Sequence, residues 1–439
     1  MQTPAAWETL KQFRLAAYRT LGLRKDSLFE LMEAVLAGPG PATLVRLSLA
    51  AVFRRAWPSA PDALADGEVD ADECRRLVQS TRIESPPGRP VWALDGTVWP
   101  RPAAGTSPER TYGHRTTAGI PQDGVVPAWE YEWLVEVPAP GTGWVLPLDV
   151  ERRGPSDGTP TAVAIGMLRQ ALARRPADAA RPVAALDSGY DPVQVARAAL
   201  PLDVLVRLRS NRVFYRAPGP YQGRGAPRKY GDVFRLADPV THGTPDASST
   251  LANPQCGRVQ IDAWRDLRAK GAADAPFTIV RVQLERLPRR AKPPAPLWLA
   301  GIGGELPEDL GDLWRDYILR FTVEHGFRFL KQALGWTTVR PRDPKAADRW
   351  TWLLALALWQ LWLARSLVAD QRLPWERPLP ATQLTPGRVR RAFPGLFAPL
   401  GTPARPPKPR GKAPGRRPGH TPGPRSRHPV TRRRPKRAA

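Results

Sequence analysis

The chain has 439 residues, which is enough to bury a large core and to form two or three domains. Its formal net charge of +25 favours a polyanionic partner, with nucleic acid ahead of a membrane surface. Two cysteines, Cys74 and Cys256, exclude a disulfide framework and fit a reducing cytoplasm. The pattern of the first residues predicts no signal peptide, the longest apolar run is too short to predict a bilayer-spanning segment, and no P-loop motif predicts nucleotide binding.

Residues 1–85 are predicted to form a helical N-terminal region, because apolar residues recur at helical spacing between Pro- and Gly-rich breaks. The predicted helices are residues 5–21, 27–36, 42–56 and 70–80. A small DNA-binding domain and an ordinary helical bundle account for these short helices equally well, and no recognition helix stands out. Both interpretations stay open.

The pattern changes at Pro90, and residues 86–210 read as the first part of an α/β core. The predicted strands are residues 91–99, 129–137, 144–151, 182–187 and 203–208. The predicted helices are residues 161–174 and 192–200. Three early strands followed by alternating helices and strands indicate a mixed sheet with helices on its faces.

Residues 211–296 predict a β-rich insertion, with strands at 259–264 and 278–287. The second part of the core, residues 297–400, is predicted to hold a strand at 296–302 and helices at 307–334 and 346–369. Pro307 and Glu308 suit the first turn of a helix, and Gly335 suits its end. Residues 401–439 contain thirteen Lys and Arg and no Asp or Glu, which predicts a disordered basic tail that adds salt-sensitive affinity for DNA.

The predicted helix 307–334 carries one polar stripe. Tyr317, Arg320, Glu324 and Lys331 fall within a wedge of roughly 60° on a helix with 3.6 residues per turn. Apolar residues surround this stripe on most sides, so a buried helix would turn the stripe toward a cleft or a partner. A solvated face with charge pairs is the alternative.

Two aspartates occur in apolar strands, where an unpaired carboxylate is costly. If Asp95 and Asp187 converge with Glu324, three carboxylates can hold two Mg²⁺ or Mn²⁺ ions and promote in-line displacement at phosphorus. Each aspartate also has a simpler interpretation: Asp95 as a turn residue and Asp187 as a helix N-cap. Asp149 and Asp191 also compete with Asp187 for the second position.

Those residues carry a resemblance to a known family. The spacing Y-x2-R-x3-E-x6-K of the polar stripe resembles the signature of a large group of bacterial insertion-sequence DDE transposases. ALDGTVW around Asp95 looks like the first catalytic aspartate of that group, and AALDSGYD around Asp187 looks like the second. The layout is similar over roughly residues 5–400, whereas the tail has no part in the resemblance.

The resemblance implies a ribonuclease H-like core and a metal-binding catalytic triad of Asp95, Asp187 and Glu324, with Mg²⁺ or Mn²⁺ as the cofactor. It also implies a DNA-binding face made of Tyr317, Arg320 and Lys331, on which the two cations contact phosphates of the transposon end. Relatives in this group cleave both strands by way of a hairpin and stack a flipped base on a tryptophan of the insertion. Trp264, beside Arg265 and Arg268, is the candidate for that tryptophan; a core position is the alternative.

We therefore expect a transposase that binds the terminal inverted repeats of its element, cuts phosphodiester bonds and joins the ends to target DNA. The expected assembly is a homodimer on DNA, associated with the nucleoid in a bacterial cytoplasm, with no membrane and no nucleotide cofactor. A stand-alone metal-dependent nuclease is one alternative, which strand joining would exclude. A catalytically inactive DNA-binding protein is the other, which metal-dependent cleavage would exclude.

Overall fold

The computed structural model describes residues 4–38, 40, 43–81, 89–115, 124–176, 178–221, 223, 226–287, 294–304, 307, 309–409, 419 and 423–431. Glu308, part of the predicted helix start, lies outside the described residues. Within them, twelve strands form one mixed sheet with helices packed on it, which is the predicted α/β class.

The strands are β1 (Val91–Pro100), β2 (Thr111–Arg115), β3 (Gly124–Glu136), β4 (Leu146–Arg153), β5 (Val183–Leu186), β6 (Asp203–Leu208), β7 (Val213–Tyr215), β8 (Val233–Arg235), β9 (Ala247–Asn253), β10 (Gly257–Ala269), β11 (Ala272–Leu284) and β12 (Leu297–Ile302). The α-helices are α1 (Pro4–Arg19), α2 (Lys25–Ala37), α3 (Leu44–Ser48), α4 (Ser59–Asp66), α5 (Ala71–Ser80), α6 (Pro160–Ala173), α7 (Pro192–Arg197), α8 (Leu310–Leu319), α9 (Thr322–Arg328), α10 (Pro344–Ala364), α11 (Pro386–Ala392) and α12 (Phe397–Leu400). The predicted helix 42–56 shortens to α3, and α4 begins where a break was predicted.

The central part of the sheet has the strand order β4–β3–β1–β5–β6. β1, β3 and β4 form an antiparallel meander, whereas β1, β5 and β6 run parallel to one another. The parallel strands require crossovers, which α6 and α7 supply; Thr159 and Asp191 cap these helices and a proline follows each cap. This arrangement is the ribonuclease H-like core.

The insertion continues the same sheet instead of forming a separate layer. β12 pairs with β6 on one side and with β11 on the other, and β11 forms a long antiparallel hairpin with β10. The predicted strands, residues 259–264 and 278–287, cover the parts of β10 and β11 far from the turn and miss the parts beside it. The strands β7 to β9 were not predicted, because β7 and β8 have only three residues each and β9 is mostly small and polar.

The predicted single helix 307–334 is wrong, because the chain forms three segments there. α8 and α9 meet at Arg320 and Phe321, where backbone N–H groups bond three residues back instead of four. A π-helical turn, Phe329–Ala333, then follows α9 directly. These changes of pitch break up the polar stripe that a uniform helix would have: Arg320 is buried, whereas Glu324 is exposed.

The N-terminal helices and α10 share one hydrophobic core. α10 is buried around most of its circumference, as predicted for the apolar run near residue 350. Phe13 of α1 stacks on Trp359 of α10 with ring centroids 6.2 Å apart. Beside them, buried Arg14 pairs with buried Glu33 and donates a 2.7 Å hydrogen bond to Gln360. None of the described helices has the length and apolarity needed to cross a membrane.

Two parts of the basic tail lie against the fold. Ala404 is buried, and Arg405 N donates to Asp26 at 2.9 Å. Further along, His428 N and Thr431 N donate to carbonyl oxygens of Gly105 and Arg110 at 2.8 and 3.0 Å. The remaining residues after 409 lie outside the described residues, apart from 419 and the other members of 423–431.

Candidate functional site

Asp95 and Asp187 lie side by side where the parallel strands β1 and β5 reach the same edge of the sheet. Leu94 pairs with Leu186. Asp95 follows Leu94 within β1, and Asp187 follows Leu186 directly after the end of β5. Side chains alternate along a strand, so Asp187 shares a face with Ala185, which packs in the cluster that α8 covers. The two carboxylates therefore point toward α8 and the segment after it.

Arg320 lies between these two carboxylates. Its Nη1 donates to Asp95 Oδ2 at 2.9 Å, and its Nη2 lies 4.0 Å from Asp187 Oδ2. The guanidinium is 3 % exposed, so little solvent screens it. Burial raises the pKa of Asp95 to about 6, with Asp187 adding to the rise and Arg320 opposing it.

Lys331 and Tyr317, the two other members of the predicted polar stripe, differ in their surroundings. Lys331 Nζ donates to Thr97 Oγ1 at 2.6 Å, two residues after Asp95 on β1. Tyr317 is fully buried, and this burial raises the pKa of its phenol while the nearby Arg320 opposes the rise. Tyr317 therefore packs behind the site rather than lining its surface.

Glu324 does not join the two aspartates. Its side chain is exposed on the first turn of α9, after the irregular turn that carries Arg320. Across the described part of the chain, no three His, Cys, Asp or Glu side chains stand close enough together to hold a metal ion. The predicted convergence of three carboxylates is therefore seen for Asp95 and Asp187 only.

The donor chemistry at the strand ends fits a hard divalent cation. Asp95 and Asp187 offer only carboxylate oxygens, and their mutual repulsion contributes to the raised pKa of Asp95. A cation between them would relieve that repulsion, as the Arg320 guanidinium does in this structure. Glu324 could add a third carboxylate from the same chain segment if α9 turned toward the strand ends.

Arg207 belongs to the site, although the sequence analysis did not select it. Val206 of β6 pairs with Leu186 of β5. Arg207 and Asp187 are the next residues along the two chain segments, so they lie side by side. Arg207 is exposed and lies two residues after Leu205, so both side chains are on the same face of the sheet. Leu205 packs in the cluster that α8 covers, so this is the α8 face. Asp95, Asp187 and Arg207 each come four residues after the first residue of their observed strand, a row that needs the register of β1, β5 and β6 and could not be read from the predicted strand ends.

Glu132 is a second residue that the sequence analysis missed. It lies opposite Gly96, and a side-chain carbon added at Gly96 would come within 3.1 Å of a Glu132 oxygen. The Tyr190 hydroxyl donates to Glu132 at 2.8 Å, and Arg153 lies 3.5 Å away. Burial raises the pKa of Glu132 to about 7, against the opposing effect of the Tyr190 hydrogen bond. A glycine inside an apolar strand signals such a close approach.

The two rival aspartates have structural partners. Asp191 caps α7 through a 3.1 Å hydrogen bond from Val193 N. Asp149 is fully buried and accepts a 2.5 Å hydrogen bond from Arg75. Both contacts lie away from Arg320, so geometry favours Asp187 as the partner of Asp95.

Trp264 occupies the core of the insertion rather than its surface. It is 1 % exposed and packs with Phe234, His242 and Trp298, whose ring centroids lie 5.3 to 5.9 Å from its own. An indole that is buried on this scale cannot stack on a base without unpacking the insertion. The core position, which was the alternative for Trp264, is the arrangement seen.

Comparison with known proteins adds one finding. A family model described as DDE superfamily endonuclease matches residues 17–270, which is more than half of the chain. The match contains Asp95, Asp187 and Arg207 and ends before Arg320 and Glu324. The comparison with curated proteins gave no match.

Proposed function

The chain belongs to the DDE superfamily endonucleases, and from that premise we propose that it is a DNA transposase acting on the ends of its own mobile element. It binds the terminal inverted repeats, cleaves phosphodiester bonds there and joins the resulting 3′-OH ends to target DNA. Because two ends must be held together for joining, the proposed active form is a homodimer on DNA. The proposal takes Mg²⁺ or Mn²⁺ as the cofactor.

One observation carries the proposal: Asp95 and Asp187 stand together where the parallel pairing of β1 and β5 ends, with cations on both sides. Arg207 continues the row on β6, and Lys331 contacts β1 two residues beyond Asp95. An acidic centre with basic flanks suits the cleavage of a polyanionic strand, because the flanks bind phosphates while the centre serves the reacting one. We infer that the DNA backbone crosses the strand ends from the Arg207 side to the Lys331 side.

Each residue has a distinct role in this proposal. Asp95, Asp187 and Glu324 would hold the divalent ions, which supply charge stabilisation and an activated water or 3′-OH at the phosphorus. Arg320 orients the two aspartates through its contacts with both. Tyr317 is buried and interacts with the Arg320 side chain, which it supports from within the protein.

A catalytically inactive DNA-binding protein is the second candidate function. The exposed position of Glu324, apart from the two aspartates, is the observation that favours it. The two candidates differ in whether Glu324 contributes to phosphodiester cleavage.

The deciding experiment replaces Glu324 with Gln, which keeps the size of the side chain and removes its charge. We expect cleavage and joining of a labelled duplex carrying the DNA that flanks the gene to fall by at least about 100-fold in Mg²⁺, because metal-assisted stabilisation is worth several kcal/mol. Gel-shift binding in Ca²⁺ should be retained. Lys331→Ala should instead weaken binding and leave residual cleavage at saturating protein.

Glu8→Gln is the matched control, since Glu8 is an exposed carboxylate on α1 far along the chain from the site. Cleavage by Glu324→Gln at the wild-type rate would remove Glu324 from the site. Absence of cleavage by the wild-type protein would favour the inactive DNA-binding protein, and cleavage without joined products would favour a stand-alone nuclease.

A further inference from the structure

The loop between α10 and α11 exposes a tryptophan to an unusual degree. Trp375 is 79 % exposed, whereas nine other tryptophans of the chain are less than 2 % exposed. Pro374 precedes it, and exposed arginines lie three residues before it and two after it, at Arg372 and Arg377. An indole in this setting has no role in the core of the protein.

The same loop is held firmly in place. Asp370 accepts hydrogen bonds from Arg388 at 2.7 and 2.9 Å and from Leu379 N at 3.0 Å. Glu376, next to Trp375, accepts from Arg391 at 2.6 Å and from Leu373 N at 2.7 Å. The contacts fix the backbone on both sides of Trp375, so the exposed indole is presented on a preorganised support.

The loop is also linked to the proposed DNA site. Arg390 of α11 is buried and donates to the carbonyl oxygen of Ala333 at 2.5 Å. Ala333 ends the π-helical turn that carries Lys331, whose amino group contacts β1 beside Asp95. Hydrogen bonds therefore connect the loop through α11 to the segment that bears Lys331.

We propose that Trp375 is a nucleic-acid contact that stacks on an unpaired base of the bound DNA, with Arg372 and Arg377 binding the adjoining phosphates. The inference rests on the proposed DNA-binding function and adds a contact outside the aspartate site. Charge selects DNA over a second copy of the chain: residues 370–391 hold five arginines against two acidic residues, and the whole chain carries +25. Two such surfaces repel each other, whereas a polyanion is attracted. Stacking on an aromatic ring is available to any base.

The test compares Trp375→Ala and Trp375→Phe in the full chain, with Trp57→Ala as the control because Trp57 is also exposed, at 52 %. The probes are a fluorescein-labelled single strand of about 30 nucleotides, long enough for several stacked bases, and its duplex. We expect Trp375→Ala to weaken binding of the single strand at least about fivefold, Trp375→Phe to recover most of that loss, and Trp57→Ala to stay within about twofold of wild type. The slope of log affinity against log salt should not change in Trp375→Ala, but should fall by about 1 to 2 in Arg372→Ala/Arg377→Ala.

Unchanged affinity of Trp375→Ala for both probes would overturn the inference. Sedimentation that shows a loss of self-association in Trp375→Ala, with DNA affinity unchanged, would assign the loop to a protein interface instead. The wild-type protein could bind DNA through Trp375 and still not cleave it. That result would overturn the catalytic part of the proposed function and leave this inference standing. Failure to bind either probe would overturn both.

Discussion

At the scale of single residues, burial raises the pKa values of two carboxyl groups near the site and so favours their neutral form. Asp95 and Glu132 lie on adjacent strands, and burial raises the pKa of Asp95 to about 6 and that of Glu132 to about 7. The sequence alone predicted Asp95, because a charged residue in an apolar strand stands out. It could not predict Glu132, whose strand alternates charged and apolar residues as any half-buried strand does.

Glu132 yields a prediction about the pH dependence of stability. Because folding raises its pKa above the ordinary value of 4.5, the native state favours the protonated carboxyl. The stabilisation is fully present below about pH 4.5 and is lost as the pH rises through about 7. Relative to Glu132→Gln, the wild-type free energy of unfolding should therefore fall by up to about 3 kcal/mol between about pH 5 and about pH 8. Urea unfolding at several pH values would measure it.

The comparison isolates Glu132, since Asp95 titrates in both proteins. The Gln side chain keeps an oxygen that can accept the Tyr190 hydroxyl hydrogen. Glu8→Gln, at an exposed position, should follow the wild-type curve at every pH. A constant difference between wild type and Glu132→Gln across that pH range would mean that Glu132 keeps an ordinary pKa in the folded protein.

At the scale of elements, the sequence predicted best the three parallel strands, each of which contains three or four consecutive buried residues. The strand at residues 203–208 was predicted with its observed ends, and β1 and β5 within one residue at either end, because a short apolar run bounded by turns is typical of a buried strand. The helix 307–334 was predicted as continuous because helical periodicity does not reveal a change of pitch. The change occurs at Arg320, which contacts two aspartates that are far away in the sequence. Such tertiary contacts are invisible to local sequence patterns.

The position of α9 gives a prediction about Gly326. A side-chain carbon at this residue would lie 2.2 Å from Val145 Cγ2, so α9 approaches the chain before β4 as closely as a glycine allows. Gly326→Ala should push α9 away, lower stability by about 1–3 kcal/mol and reduce cleavage, because Glu324 lies in the same short helix. Thermal unfolding and the end-cleavage assay would measure the two effects.

Gly166 on α6 provides the matched control, because a side-chain carbon there would meet no atom within 4 Å. Gly166→Ala should be neutral or stabilise by up to about 1 kcal/mol through helix propensity. Adding Val145→Ala to Gly326→Ala restores the space and should recover part of the cleavage. Equal stability of the Gly326→Ala and Gly166→Ala proteins would show that α9 is free to shift without cost.

At the scale of the whole molecule, positive charge is divided between the fold and the tail. The thirteen Lys and Arg of residues 401–439 leave a net charge of +12 on residues 1–400. Composition predicted the tail as a disordered source of phosphate affinity, but it could not reveal that part of the tail contacts the fold. Gly401 accepts a 2.9 Å hydrogen bond from buried Arg14, and Thr402 donates to Glu33 at 3.1 Å. Proline- and arginine-rich composition carries no information about such contacts.

Two truncations separate these roles of the tail. Deleting residues 432–439 removes five Lys and Arg and leaves the described tail contacts intact. The slope of log affinity against log salt should fall by at most about 4.5, at about 0.9 per phosphate contact, with unchanged stability and unchanged preference for the proper DNA ends.

Deleting residues 401–439 should flatten the slope further and also lower the free energy of unfolding by about 1–3 kcal/mol, because the buried pair of Arg14 and Glu33 loses hydrogen bonds. Loss of preference for the ends after the shorter deletion would show that residues 432–439 take part in reading the DNA sequence.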